Sequence, residues 1–169
     1  MPIQRLNHAV LYVRDVEEST SFYRDVLGFR TVVEMPGRAF LQAASSTNDH
    51  DLGLFTVGAQ AGDSPAGQTT VGLYHLAWEV DTLSELRHVA DRLTEAGALV
   101  GTADHATTKS LYGKDPNGIE FEVCWLVPAD HITDGLRLAQ REELDIDAEI
   151  ARYGADLRGG VGVSTPALT

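Results

Sequence analysis

The sequence predicts an α+β fold of two tandem βαβββ modules that form a metal-binding cup, followed by a C-terminal helical tail. Three observations carry this prediction. The chain repeats itself weakly: an offset of 67 maps His8 onto His75, Val13 onto Val80, Asp15 onto Thr82, Val16 onto Leu83 and Glu18 onto Glu85. Both halves run through the same signals in the same order, an apolar strand, a helix cap, a helix and three short β-like runs. Strand alternation then places the chemically interesting polar residues of both halves on the face turned away from the helices.

The elements follow in order. The apolar runs 6–13 and 73–80 are the opening strands. Asp15 and Thr82 are N-cap candidates, each with a glutamate three residues on, as in a capping box. The first helix carries Phe22, Tyr23, Val26 and Leu27 and stops at Gly28; the second carries Leu83, Leu86, Val89, Ala90, Leu93 and Ala96 and stops at Gly97. Strand-like runs follow at 29–34, 39–43 and 51–57, and again at 98–102, 108–113 and 119–126. The modules therefore span 3–57 and 72–126 of one domain, 1–126, joined by a linker at 58–71 rich in Gly, Ala, Ser, Thr and Gln. The tail, 127–169, has helical signals and strong acidity from Asp130 to Tyr153. Leu136, Leu144, Ile146 and Ile150 are available to dock it on the body or on another subunit. From Gly159 to Thr169 the composition predicts disorder.

Composition narrows the function classes. With 169 residues, 43% hydrophobic and 22% charged, the chain is long enough for a real core and is expected to be soluble. No apolar run approaches the ~20 residues that span a bilayer, and the N-terminus lacks a basic-then-apolar secretory pattern. A single cysteine, Cys124, cannot form an internal disulfide and fits a reducing cytoplasm. A net charge of −12 repels phosphate backbones and anionic membrane surfaces, so neither nucleic acid nor membrane is an expected partner.

The alternation picks out a metal site. Ala9, Leu11 and Val13 face the helices and leave His8, Val10 and Tyr12 opposite. Leu76, Trp78 and Val80 leave His75, Ala77 and Glu79 opposite, and Phe121, Val123 and Trp125 leave Glu120, Glu122 and Cys124 opposite. A solvated sheet face explains any one of these polar residues, but not two histidines at equivalent positions of a repeat. His8, His75 and Glu122 around one divalent ion leave coordination positions open, an arrangement suited to non-haem Fe(II) and oxygen; Mn(II) satisfies the same donors.

The chain resembles the vicinal oxygen chelate superfamily, the glyoxalase and bleomycin-resistance fold, over residues 3–126. The stretch from His105 through Leu111, Tyr112, Asp115, Pro116 and Gly118 to Glu122 is similar to the motif of its type I extradiol (catechol 2,3-dioxygenase-like) members. Ala103 departs from the residues usual two before that histidine. The segment from His50 through Asp51, Leu52, Leu54 and Phe55 is similar to a second stretch of the same enzymes. The resemblance implies an Fe(II) enzyme that cleaves a catechol-type ring with O2 next to the diol. His8, His75 and Glu122 would be its ligands, His50 its acid-base residue, and His105 and Tyr112 its contacts to substrate. Val10, Tyr12 and Ala77 are the expected pocket walls, and a homo-oligomer is the expected assembly. Gly53, at the place where glyoxalase I has a fourth protein ligand, favours the dioxygenase. The alternatives are a metal-dependent glyoxalase, epimerase or thiol transferase of the same superfamily, or a small-molecule binder without catalysis.

Overall fold

The computed structural model describes residues 2–3, 5–66 and 69–160. Two compact units divide the chain: Met1–Pro65 with the loop Asp115–Ile119, and Ala66–Lys114 with Glu120–Thr169. Each repeats the expected order of one strand, one helix and three strands. The first contains β1 (Ala9–Val13), α1 (Val16–Asp25), β2 (Arg30–Met35), β3 (Arg38–Gln42) and β4 (Leu52–Thr56). Its sheet runs β1-β4-β3-β2, with β1 parallel to β4 and the other pairs antiparallel. The second contains β5 (Leu76–Glu79), α2 (Leu83–Glu95), β6 (Leu99–Asp104), β7 (Thr108–Lys114) and β8 (Glu120–Leu126), in the order β5-β8-β7-β6, with β5 parallel to β8. Among the described residues no helix is long and apolar enough to cross a membrane.

In the first unit the Asp15 carboxylate accepts from the N–H groups of Glu17 and Glu18 and starts α1. The buried stripe of this helix is Val16, Ser19, Thr20 and Tyr23. The sequence put Val26 and Leu27 on it, but the helix ends at Asp25 and Gly28 turns the chain with φ +75°. Tyr23 and Val16 are buried together with Leu11, Val13, Leu41, Leu52 and Leu54 of the sheet, all under a tenth exposed. The loop Asp115–Ile119 is held from within: Asp115 accepts from the N–H groups of Asn117 and Ile119, and Tyr23 Oη donates to it at 3.3 Å. Asn117 Oδ1 accepts from Arg14 N–H at 2.8 Å. The Asp-Pro-Asn-Gly part of the sequence pattern is therefore scaffold.

In the second unit Thr82 and Glu85 complete the capping box that the sequence implied. Both faces of β8 are covered in its middle, since Phe121, Val123 and Trp125 are buried on one side and Glu122 and Cys124 on the other. Burial pushes the Cys124 thiol up to about 12, so it is an inert core group.

The tail docks on its own unit. It consists of a 3₁₀ turn (Ala129–His131), α3 (Asp134–Arg137) and α4 (Ile146–Tyr153). Leu136 and Leu144 are buried, and Ile146 and Ile150 are partly so. The fastening is ionic as well as apolar. Lys109, fully buried on the helix side of β7, holds Asp104 at 2.6 Å and Glu149 of α4 at 2.9 Å. Tyr153 lies on Trp125, with ring centroids 5.4 Å apart. The disorder expected from Gly159 does not begin there. Gly159 N–H donates to the Asp81 carbonyl, and a Cβ on Gly159 would fall 2.0 Å from the Leu126 carbonyl oxygen. Its lack of a side chain lets the backbone close over β8; residues 161–169 lie outside the described residues.

Removing a partner from a buried ion pair costs ~3–5 kcal/mol, and here Asp104 remains beside Lys109. Glu149→Ala is expected to lower stability by about 2 kcal/mol, measured as a lower urea midpoint at unchanged slope. Adding Lys109→Met should recover part of that loss.

Candidate metal centre

The second unit concentrates the candidate residues on the face of its sheet away from α2. Glu122, in the middle of β8, is 9% exposed. Its cross-strand neighbours are Ala77 on β5 and Tyr112 on β7. Ser110, fully buried two residues before Tyr112, donates its hydroxyl to Glu122 Oε1 at 2.5 Å. His75, the last residue before β5, brings Nε2 to 3.0 Å from Glu122 Oε2. The carboxylate thus has one oxygen held by a serine and the other beside an imidazole.

Two ligands at right angles on a metal with bonds of ~2.1 Å lie ~3.0 Å apart. The 3.0 Å separation of His75 Nε2 and Glu122 Oε2 fits two adjacent donors to one divalent ion. His75 Nδ1 is buried without a hydrogen-bond partner. Imidazole plus carboxylate is also the right donor chemistry for a divalent first-row metal.

The same face holds the pair His105 and Tyr112, with Nε2 and Oη 2.8 Å apart. His105 sits in the tight turn between β6 and β7, where its N–H donates to the Thr108 carbonyl. The next residue, Ala106, has φ +67°, the one left-handed non-glycine among the described residues. Asp104 holds that turn by accepting from Ala106 N–H at 2.6 Å. Burial, and then the Glu122 charge, raise the Tyr112 pKa, while Ser110 and the charge of Arg141 act in the opposite sense. Tyr112 therefore stays a phenol at neutral pH and can donate.

The first unit has its own cluster. His8 immediately precedes β1 and is exposed, with Nδ1 2.8 Å from Asn7 Oδ1. Its ring lies beside that of His50, tilted by 40° with centroids 4.5 Å apart, and His50 meets Phe40 edge-on at 5.0 Å. The His50 side chain is 17% exposed, with Nδ1 3.1 Å from Asp49. Asp51 shapes the loop that presents it. The buried Asp51 carboxylate accepts from Ala43 N–H, Ser46 Oγ and Asn48 Nδ2 at 2.7–2.9 Å.

Register decides the equivalence of the two modules. Val10 pairs with Gly53 as Ala77 pairs with Glu122, and Phe40 pairs with Gly53 as Tyr112 pairs with Glu122. Gly53 therefore stands at the position of Glu122, and the first module offers no carboxylate there. Val10, Tyr12 and Ala77 all remain exposed. Among the described residues no group of three or more His, Cys, Asp or Glu is close enough to hold one ion. His75 and Glu122 form a pair in one unit, and His8 belongs to the other. Sequence reasoning missed Ser110, although its spacing of two from Tyr112 already put both on one strand face.

Comparison with known proteins agrees with this architecture. A family model described as the Glyoxalase/Bleomycin resistance protein/Dioxygenase superfamily matches residues 5–123. Biphenyl-2,3-diol 1,2-dioxygenase 3 of Rhodococcus globerulus is 33% identical over 134 residues, covering 77% of this chain and 68% of that protein. Catechol-2,3-dioxygenase of Bacillus subtilis is 34% identical over 118 residues, 70% of this chain but only 40% of the relative. The crystal structure of a glyoxylase/bleomycin resistance protein/dioxygenase domain from Frankia sp. EAN1pec superposes with a TM-score of 0.59 at 23% identity, over 73% of this chain and 92% of that one. This chain belongs to the glyoxalase, bleomycin resistance protein and dioxygenase superfamily.

Proposed function

We propose that the chain is an Fe(II)-dependent extradiol dioxygenase that opens the ring of a catechol-type substrate with O2 beside the diol. The observation that carries this reading is the grouping on one sheet face of a donor pair, His75 and Glu122, with a phenol–imidazole pair, Tyr112 and His105. The dioxygenase relatives at 33–34% identity support it. Gly53 supports it over a four-ligand enzyme, because a diol that binds through two oxygens and O2 together need three free positions.

In this reading His8, His75 and Glu122 hold Fe(II), and Mn(II) would satisfy the same donors. When bound, the ion would supply Lewis acidity toward the diol oxygens and electron transfer toward O2. The protein's own work is positional and protonic. Ser110 keeps Glu122 Oε1 occupied, so that Oε2 is the donor. His50 takes a proton from the diol and returns it as the ring opens, the general acid–base work that imidazoles most often do. Tyr112 donates to a ring oxygen, and His105 holds the phenol in place. Val10, Tyr12 and Ala77 present the apolar walls.

The deciding experiment loads the purified protein with Fe(II) anaerobically, admits O2 with a panel of catechols, and follows ring-fission absorbance with oxygen uptake. No turnover of any diol, together with Ni(II)- or Zn(II)-dependent glutathione-adduct formation, would overturn the assignment. Glu122→Ala and His75→Ala are expected to abolish stoichiometric iron in metal analysis. Ser110→Ala should weaken Fe(II) binding about ten- to hundredfold, as losses of groups that orient a ligand do, and Ser110→Thr should restore most of it. For His50→Ala the expectation is unchanged metal content with kcat lower by about 10²–10⁴.

A further inference from the structure

The turn from β6 to β7 holds a strained backbone, and Asp104 is the residue that holds it. Ala106 has φ +67°, a left-handed conformation that costs an alanine free energy and persists only where its surroundings enforce it. Asp104 Oδ1 accepts from Ala106 N–H at 2.6 Å and from Lys109 Nζ at 2.6 Å. The first bond closes a tight loop around His105. The second anchors the same oxygen to a lysine that is fully buried and is held in turn by Glu149 of α4 at 2.9 Å. The Asp104 backbone is fixed as well. Its N–H and carbonyl both bond with Glu142 of the tail at 2.9 Å.

His105 lies inside that loop. The Asp104 side chain turns to the helix side to meet Lys109, and a strand sends the next side chain to the opposite face. There His105 Nε2 lies 2.8 Å from Tyr112 Oη. The His105 backbone is tied at both ends: its N–H donates to the Thr108 carbonyl at 2.9 Å, and its carbonyl accepts from Thr107 N–H at 2.8 Å. Val127 N–H donates to the Thr107 carbonyl at 3.0 Å and fastens the turn to the end of β8. A glycine at position 106 would remove the strain. Strain kept beside a candidate site points to a geometry that is in use.

We propose that Asp104 is a positioning residue for the His105–Tyr112 pair: through its bond to Ala106 N–H it fixes the turn that aims the imidazole at the phenol. Where turnover is concerned this role rests on the ring-cleavage reading; the aiming of the imidazole does not. Aspartate suits the place because its short side chain reaches a backbone N–H two residues on, whereas glutamate is too long to close the same loop. Lys109 and the tail brace the carboxylate from the helix side, so two duties meet in one residue. The hydrogen bond to Ala106 serves the site, and the charge beside Lys109 serves stability. Substitutions can separate them.

The test reads the imidazole by NMR in the metal-free full chain, isotope-labelled at its histidine nitrogens, at mildly alkaline pH. A ring engaged with Tyr112 is held in one tautomer, and a released ring reverts to a mixture. Tyr112→Phe supplies the released signal, and His105→Asn identifies the peak. Asp104→Asn keeps the acceptor oxygen and loses the charge, so the signal should stay as in wild type while the urea midpoint falls. Asp104→Glu keeps a charge for Lys109 but not the loop, so the signal should move to that of the released ring. On the iron-loaded chain Asp104→Glu should lower kcat about ten- to hundredfold with KM within about threefold, as misplacement by an ångström does, and Asp104→Asn should stay within about threefold on both. Glu149→Ala, which leaves the bond to Ala106 in place, should lower the midpoint without moving the signal. A wild-type signal in Asp104→Glu, a released one in Asp104→Asn or Glu149→Ala, or no difference between wild type and Tyr112→Phe overturns the assignment. If no diol is cleaved while the signals follow the expected order, the ring-cleavage reading falls and the positioning role of Asp104 stands.

Discussion

The second unit is organised around one buried carboxylate. An ionised group taken out of water costs several kcal/mol unless it is hydrogen-bonded or paired. Glu122 meets that demand with Ser110 on one oxygen and His75 on the other. Those two partners come from β7 and from the lead into β5, the strands on either side of β8. A slip of one residue in either pairing would turn every side chain of a strand to the other face and strand the charge. The register that buries Phe121, Val123 and Trp125 on the helix side therefore also brings the donors together on the opposite side.

The duplicated module shows how chemistry is divided on a repeated scaffold. Both sheets share strand order, parallel pairing and register, yet Gly53 stands where Glu122 does. Val10, Phe40 and Phe55 crowd the space a Cβ on Gly53 would enter, at 3.3–3.5 Å. The first module keeps instead a pair of neighbouring, mutually tilted imidazoles, His8 and His50, supported by a loop wrapped around Asp51. One half carries the His75–Glu122 pair and the phenol, and the other carries two neighbouring imidazoles.

A second buried charge, Lys109, does for the tail what Glu122 does for the site. Ser110 and Lys109 are adjacent on β7, and strand alternation sends one toward Glu122 and the other toward Asp104 and Glu149. Docking α4 and pairing Glu142 with Asp104 are therefore linked to the strand that bears the site. The unit's stability and its candidate chemistry share β7, and neither is independent of the acidic tail.

The sequence by itself determined the two modules, their caps and strand faces, and it nominated His8, His75, Glu122, His50, His105 and Tyr112 as candidates. Those follow from period-2 and helical patterning, from repetition and from a spaced motif, all local or linear properties of a chain. It did not determine that Ser110 holds Glu122, that Lys109 is buried, that α1 stops at Asp25, or that Gly159 closes over β8. Each of these depends on which atoms meet across strands or on where the tail returns. A serine two residues before a tyrosine looks like any strand polar residue until β7 is placed beside β8. Tertiary structure decided these points because satisfying a buried charge is a property of its surroundings in space, which linear order does not specify.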